Sequence, residues 1–335
     1  MSDTSIDTSI RSLPPAAAAS SSFATHAVTA SVGQNPADAD PTDPPGPPPL
    51  GSGGAAAPTF LKSPPRGPVR PRLVDAHTHL LPDRLAQAIR GYFVQFITGD
   101  FFPYPPQADA CRAALMAAGV DRCWSLPYVR RPGSASGLNR WMAERWGQDP
   151  VVEPGATVHP GDDVGRVADE ALALGLRLFK VHCAVGEFSL GDPRLEPLWD
   201  RASAGQIPVV VHLGHSPTGH TEADELPALE AVARAWPHAP IILAHLGAPA
   251  VPEGLALLRR CPSLLADLTP VVIQTTPVTA ADLEGLEERI LFGTDLPSVG
   301  LRIEEVLGHL RSLGLSPRAE RAILAGNADR LVPPR

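Results

Sequence analysis

Short apolar runs that stop at a polar, chemistry-bearing residue recur from about residue 72 to the C-terminus, and no other feature constrains the fold as much. Leu73-Val74 leads into Asp75-Ala76-His77-Thr78-His79, and Leu176-Arg177-Leu178-Phe179 into Lys180-Val181-His182. Val209-Val210-Val211 ends at His212, Ile241-Ile242-Leu243-Ala244 at His245, and Ile290-Leu291-Phe292-Gly293-Thr294 at Asp295. Continuous rather than alternating apolar runs indicate strands buried on both faces, as in a parallel sheet. Strands are predicted to begin near Leu73, Arg122, Val151, Leu176, Ile207, Ile241, Ser263 and Ile290. Helices are predicted between them over Val164–Ala173, Leu195–Ala204, Leu226–Ala235, Pro252–Arg260 and Ala280–Glu288, with Gly175 and Gly205 as C-terminal stops. Strand and helix alternating through eight units match an α/β fold of the (β/α)8 TIM-barrel type. The competing architecture, an open doubly wound sheet, lacks a Gly-x-Gly-x-x-Gly after the first strand.

Two regions of different character divide the chain. Residues 1–71 are rich in Ala, Ser, Thr, Asp and Pro, and include Pro44-Pro45-Gly46-Pro47-Pro48-Pro49 and Gly51-Ser52-Gly53-Gly54. Such a segment buries too little apolar surface to offset its ordering entropy, so a disordered tail is expected there. Residues 72–335 form the barrel domain. Its first connection, from Leu80 to about Gly119, is longer than a crossover needs and carries Phe101-Phe102-Pro103-Tyr104. Those aromatic residues read either as a lid or pocket wall, or as a surface between the protomers of a homodimer.

Charge and cysteine usage narrow the partners. A formal net charge of −8 and the absence of a Lys/Arg cluster argue against nucleic acid. No apolar run is long enough to span a membrane, and the N-terminus lacks the basic and apolar segments of a secretory signal. Cys111, Cys123, Cys183 and Cys261 are scattered without a Cys-x-x-Cys and read as buried thiols of a reducing compartment, so a cytoplasmic protein is expected.

In a (β/α)8 barrel the C-terminal strand ends converge on one face, where active sites of this fold sit. That face would gather His77 and His79, Lys180 and His182, His212, His245 and Asp295. Alternation puts His77 and His79 on one side of their strand. Neutral imidazoles with a carboxylate and no thiolates favour one divalent ion per chain, foremost zinc, with His77, His79, His212 and Asp295 as ligands. Such an ion lowers the pKa of bound water to about 7. Asp295 is expected to take the water's proton, and His245 to orient the water or stabilise charge on the substrate. Lys180, His182, His159 and Arg130 are expected to line the substrate pocket, an arginine there holding a substrate carboxylate. His215 and His220 read as gate residues or exposed ones, and His26, His238 and His309 as surface residues.

This order of motifs resembles the amidohydrolase superfamily, in particular the branch containing aminocarboxymuconate-semialdehyde decarboxylase and related enzymes. The matching stretches are Asp75-Ala76-His77-Thr78-His79, Lys180-Val181-His182, Val211-His212, Ala244-His245-Leu246-Gly247, Phe292-Gly293-Thr294-Asp295 and Gly326-Asn327-Ala328-Asp329-Arg330-Leu331, together covering about residues 73–333. The resemblance implies a barrel with one metal on the first-strand histidines, His212 and Asp295, and His245 near the water. Elsewhere in that superfamily a carboxylated fourth-strand lysine bridges two metals, and Lys180 stands where two would require it. The activity implied is hydrolysis of a small amide, ester, lactone or cyclic substrate. The alternatives are non-hydrolytic decarboxylation of a small carboxylic acid, a barrel that binds without turnover, and a nuclease, which the acidic charge disfavours.

Overall fold

The structure, a computed structural model, describes residues 70–95, 101–213, 222–269 and 277–335. The expected tail falls almost wholly outside the described residues, as do His26, His215 and His220. Among the described residues the strands follow one another around a (β/α)8 barrel. They are β1 (Val74–Thr78), β2 (Arg122–Ser125), β3 in two pieces (Val152–Pro154 and Ala156–Thr157) and β4 (Phe179–His182). The circuit continues through β5 (Val209–His212), β6 (Ile241–Leu243), β7 (Leu264–Leu268) and β8 (Ile290–Phe292).

Every neighbouring pair is parallel. The chain changes partner within β3: Gly155 N donates to Ser125 O of β2, and Ala156 N to Leu178 O beside β4. The ring closes just beyond β8, where Asp295 N donates to His77 O and His79 N to Leu296 O, each at 2.8 Å.

The barrel interior is filled by Val74, Ala76, Trp124, Leu126, Leu178, Val210, Ile242, Leu265 and Leu291. Ala325, Ala328 and Val332, from the C-terminal helical segments, join that cluster. Residues one position along each strand, such as Phe179, Val209, Val211, Ile241 and Leu243, instead pack in the larger cluster with the surrounding helices. This is why the strand sequences are continuously apolar. The Gly326-Asn327-Ala328 motif is structural: buried Asn327 donates through Nδ2 to Glu287 O and Ile290 O, each at 2.7 Å, fixing the start of β8.

Four predicted helices form, as α4 (Val164–Ala173), α5 (Glu196–Gly205), α6 (Glu222–Ala235) and α7 (Val251–Arg260), behind α1 (Asp83–Phe93), α2 (Ala108–Ala117) and α3 (Ala135–Trp146). The predicted helix Ala280–Glu288 does not. It stops at Leu283, Gly285 adopts φ 75°, and a separate 3-10 turn covers Glu287–Arg289. Gly175 does take the left-handed stop expected of it (φ 81°), whereas Gly205 is the last helical residue and Gln206 (φ 49°) turns the chain. All four cysteines are free and buried. Among the described residues no helix is long and apolar enough to cross a membrane.

Candidate metal centre

Strict alternation would send His77 outward, because Val74 and Ala76 already face the barrel interior. The β1–β2 register slips between Asp75 and Thr78, and this irregularity takes up one residue. Such bulges re-aim side chains next to functional sites. His77 and His79 consequently both meet interior groups. On β4 no correction is needed: interior Leu178 is followed two residues on by Lys180 and four on by His182. On β7, Leu265 is likewise followed by Asp267.

The two first-strand imidazoles are oriented from behind. His77 Nδ1 lies 2.8 Å from Asp267 Oδ2, and His79 Nδ1 lies 2.7 Å from Leu126 O. A carboxylate and a carbonyl accept, so each Nδ1 carries a hydrogen and each Nε2 is turned toward the interior group of Asp295. Asp295 Oδ1 sits 2.9 Å from His79 Nε2 and 3.8 Å from His77 Nε2. Two ligands of a tetrahedral zinc stand about 3.3 Å apart when each bond is about 2.0 Å, and the two distances bracket that span. The donor set therefore fits a divalent ion. His77, His79 and Asp295 form one group with metal-ligand spacing, and His77, His245 and Asp267 form another.

His212, on β5 and expected as a ligand, belongs to neither of these groups and meets the cluster through His245. Its Nδ1 is 3.0 Å from His245 Nε2, and its ring stacks on His182 with centroids 4.0 Å apart. His245 Nδ1 is hydrogen-bonded to Thr269 Oγ1, and His245 N donates to Asp267 Oδ1 at 2.9 Å. The two oxygens of Asp267 thus tie His77 to His245 across the barrel. His245 and Asp295 both have left-handed backbones (φ 56° each), a conformation non-glycine residues adopt at a cost.

Burial sets the electrostatics. His77 is held well below the usual imidazole range by desolvation and then by the Lys180 charge, and His182 by desolvation and then by His212. Both are therefore neutral, as ligation requires. Lys180 is fully buried with Nζ 3.3 Å from His77 Nε2; burial pulls its pKa down and pushes that of Asp267 up. Asp75 is pushed up to about 7 by burial, although His77 N, Thr294 N and Thr294 Oγ1 all donate to it.

Gly293 permits the close approach of the β8 end to β1. A Cβ there would lie 2.7 Å from His77 Cβ and 3.2 Å from Thr269 Cγ2. Gly293→Ala is expected to cost about 1–3 kcal/mol through overpacking, and to displace His77. A thermal melt together with metal content per chain checks both effects.

The other candidate residues take different places. His159 is occupied by backbone: Gly161 N donates to its Nδ1 at 3.0 Å, and its Nε2 lies 3.2 Å from Gly186 O. Arg130 Nη2 pairs with Glu187 Oε1 at 3.0 Å, while Nε and Nη1 are buried without a hydrogen bond among the described residues. His238 is exposed as expected, but His309 is half-buried beside Leu268, Phe292 and Val306, and burial lowers its pKa. Two participants escaped the sequence reading, Asp267 and Thr269, whereas Tyr128 stands just past β2 beside Arg130. Tyr128 packs edge-on against His79 with centroids 5.3 Å apart, and lies 5.0 Å from His182. The only sequence signal for Asp267 is an acid inside the apolar run Leu264-Leu265-Ala266-Asp267-Leu268.

The sequence profile of the amidohydrolase family matches residues 74–333, a span that holds every residue of this cluster. The chain belongs to that family. No curated protein matches this amidohydrolase significantly in sequence. Among solved structures it is similar to an uncharacterised TIM-barrel protein from Bordetella bronchiseptica, with 21% identity and TM-score 0.63. It is also similar to 5-carboxyvanillate decarboxylase from Sphingomonas paucimobilis, with 14% identity and TM-score 0.58. A third is an amidohydrolase from Burkholderia multivorans with bound zinc, with 19% identity and TM-score 0.53. Each match covers 78% of the amidohydrolase chain and 98% of the other. At these identities the likeness is one of fold.

Proposed function

We propose that this amidohydrolase is a metal-dependent hydrolase of a small amide, ester, lactone or cyclic substrate, holding one divalent ion, foremost zinc, on His77, His79, His212 and Asp295. The observation that carries this reading is the convergence of buried His77, His79 and Asp295, whose ligand atoms lie within 4.8 Å of one another. When bound, the ion supplies Lewis acidity and lowers the pKa of water to about 7.

The chain's own residues do the rest. Asp295 accepts the proton of the attacking water. Asp267 fixes His77 and the His245 backbone, so neither group reorganises as charge develops. His245, hydrogen-bonded to both His212 and Thr269, orients the fifth-strand imidazole. Lys180 and His182 stand beside the ligand histidines, and Arg130 retains two donors for a substrate. His159, with both ring nitrogens engaged, acts by shaping the loop. A cytoplasmic location and a homodimer accord with this reading.

Zinc-reconstituted protein, assayed against a panel of small lactones, esters, amides and carboxylic acids, tests the reaction class. Uptake of one oxygen from labelled water into product, without release of carbon dioxide, is expected. Release of carbon dioxide without incorporation would contradict hydrolysis and make the decarboxylase alternative correct.

A further inference from the structure

Beside the ligand cluster lies a space of about 20 Å³, room for one water molecule or one oxygen atom of a substrate and not for a ring. His79 and Tyr128 border it, with Pro297 and Ser298 from the segment after Asp295. Phe102 of the long first insertion also borders it, so the insertion is part of its wall. That wall is braced by its own neighbours. The Tyr104 hydroxyl accepts from Ile303 N at 3.0 Å, and Arg90 Nη2 donates to Tyr104 O at 3.0 Å and to Pro297 O at 2.9 Å.

Tyr128 is the group of this space whose chemistry nothing in the protein uses. Its ring is held between two site histidines, edge-on to His79 and tilted against His182. Phenylalanine would make both contacts equally well, so packing does not account for the hydroxyl. That hydroxyl bonds to no described residue, yet it is not walled in by protein. A phenolic hydroxyl set among packed side chains usually has a hydrogen-bond partner. The place left for one is the small space shared with His79 and the Asp295 segment, where the hydrolytic reading puts the reacting bond.

We propose that Tyr128 is a catalytic residue, its hydroxyl donating a hydrogen bond to the substrate oxygen that gains negative charge as water adds to an acyl carbon. The new bond joins the water oxygen to that carbon, the carbonyl π pair moves onto the carbonyl oxygen, and Asp295 takes the water's proton. Tyr128 keeps its own proton throughout. Collapse returns the pair to the carbonyl and expels the leaving group, which departs with the proton held by Asp295. A donor fixed in place before the charge appears needs no reorganisation when it does. The proposal deepens the hydrolase reading and rests on it for the position of the acyl carbon.

Calorimetric titration of zinc-reconstituted wild type and Tyr128→Phe with methylphosphonate is the test. This probe carries tetrahedrally arranged, negatively charged oxygens like those formed when water adds to an acyl group. The Phe variant keeps the ring and leaves no protein group unpaired, so its melting temperature and zinc content should match those of wild type. Its affinity for methylphosphonate should fall about tenfold or more, the loss of one hydrogen bond to a charged oxygen. Equal affinity in two zinc-loaded proteins, or no saturable binding by zinc-loaded wild type, would overturn the role of Tyr128 and leave the metal centre standing. A Phe variant that loses zinc along with the probe would make Tyr128 a packing residue of the ligand cluster, which also overturns the proposal. Wild type that takes up no zinc contradicts the hydrolase reading itself, and this proposal with it.

Discussion

Replacing Asp295 with alanine is expected to reduce turnover by about 10²–10⁴-fold, the range for losing a positioned proton acceptor, while the barrel stays folded. Asp295 follows β8 and lies outside the hydrophobic core clusters. The backbone bond from Asp295 N to His77 O that closes the barrel does not depend on the side chain. His77→Ala should be as damaging by another route, since it removes the imidazole shared by both groups with metal-ligand spacing. Steady-state assays paired with circular dichroism check both variants. Near wild-type turnover and metal content in both would sink the assignment of these residues.

Asp267→Ala is expected to combine a loss of stability with a loss of metal. Its two oxygens serve His77 Nδ1 and His245 N, and all three groups are buried. Removing the carboxylate leaves two buried donors unpaired, at about 1–3 kcal/mol each. His77 is then free to rotate or change tautomer, and a lost outer-shell partner of a metal ligand typically costs about 10–100-fold in affinity. Asp267→Asn is the sharper variant. Its amide oxygen can still accept from one partner, so stability should recover more than metal affinity does. Chemical denaturation and zinc titration of both variants separate the two effects.

The fold was legible because barrel strands are buried on both faces, which writes them as unbroken apolar runs such as Val209-Val210-Val211. The site was legible where a ligand-competent residue ends such a run, as at His212, His245 and Asp295. Less visible was anything set by pairing between distant strands. Asp267 meets His77 across 190 positions of sequence, and one acid in an apolar run does not name its partner. The β1 irregularity was also hidden: alternation correctly put His77 and His79 together, but not on the face that Val74 and Ala76 already occupy. Helix 280–288 was misread because periodicity took no account of Gly285, whose left-handed backbone stops the helix.

The central claim is that the buried histidines and Asp295 exist to hold a divalent ion. Elemental analysis of protein purified without chelator or added metal, in wild type and His77→Ala side by side, tests it most directly. About one zinc or manganese per wild-type chain and almost none in the variant is the predicted result. About two per chain would make Lys180 a carboxylated bridging ligand and overturn the single-ion assignment. No metal in wild type, even after reconstitution, would contradict the account at its centre.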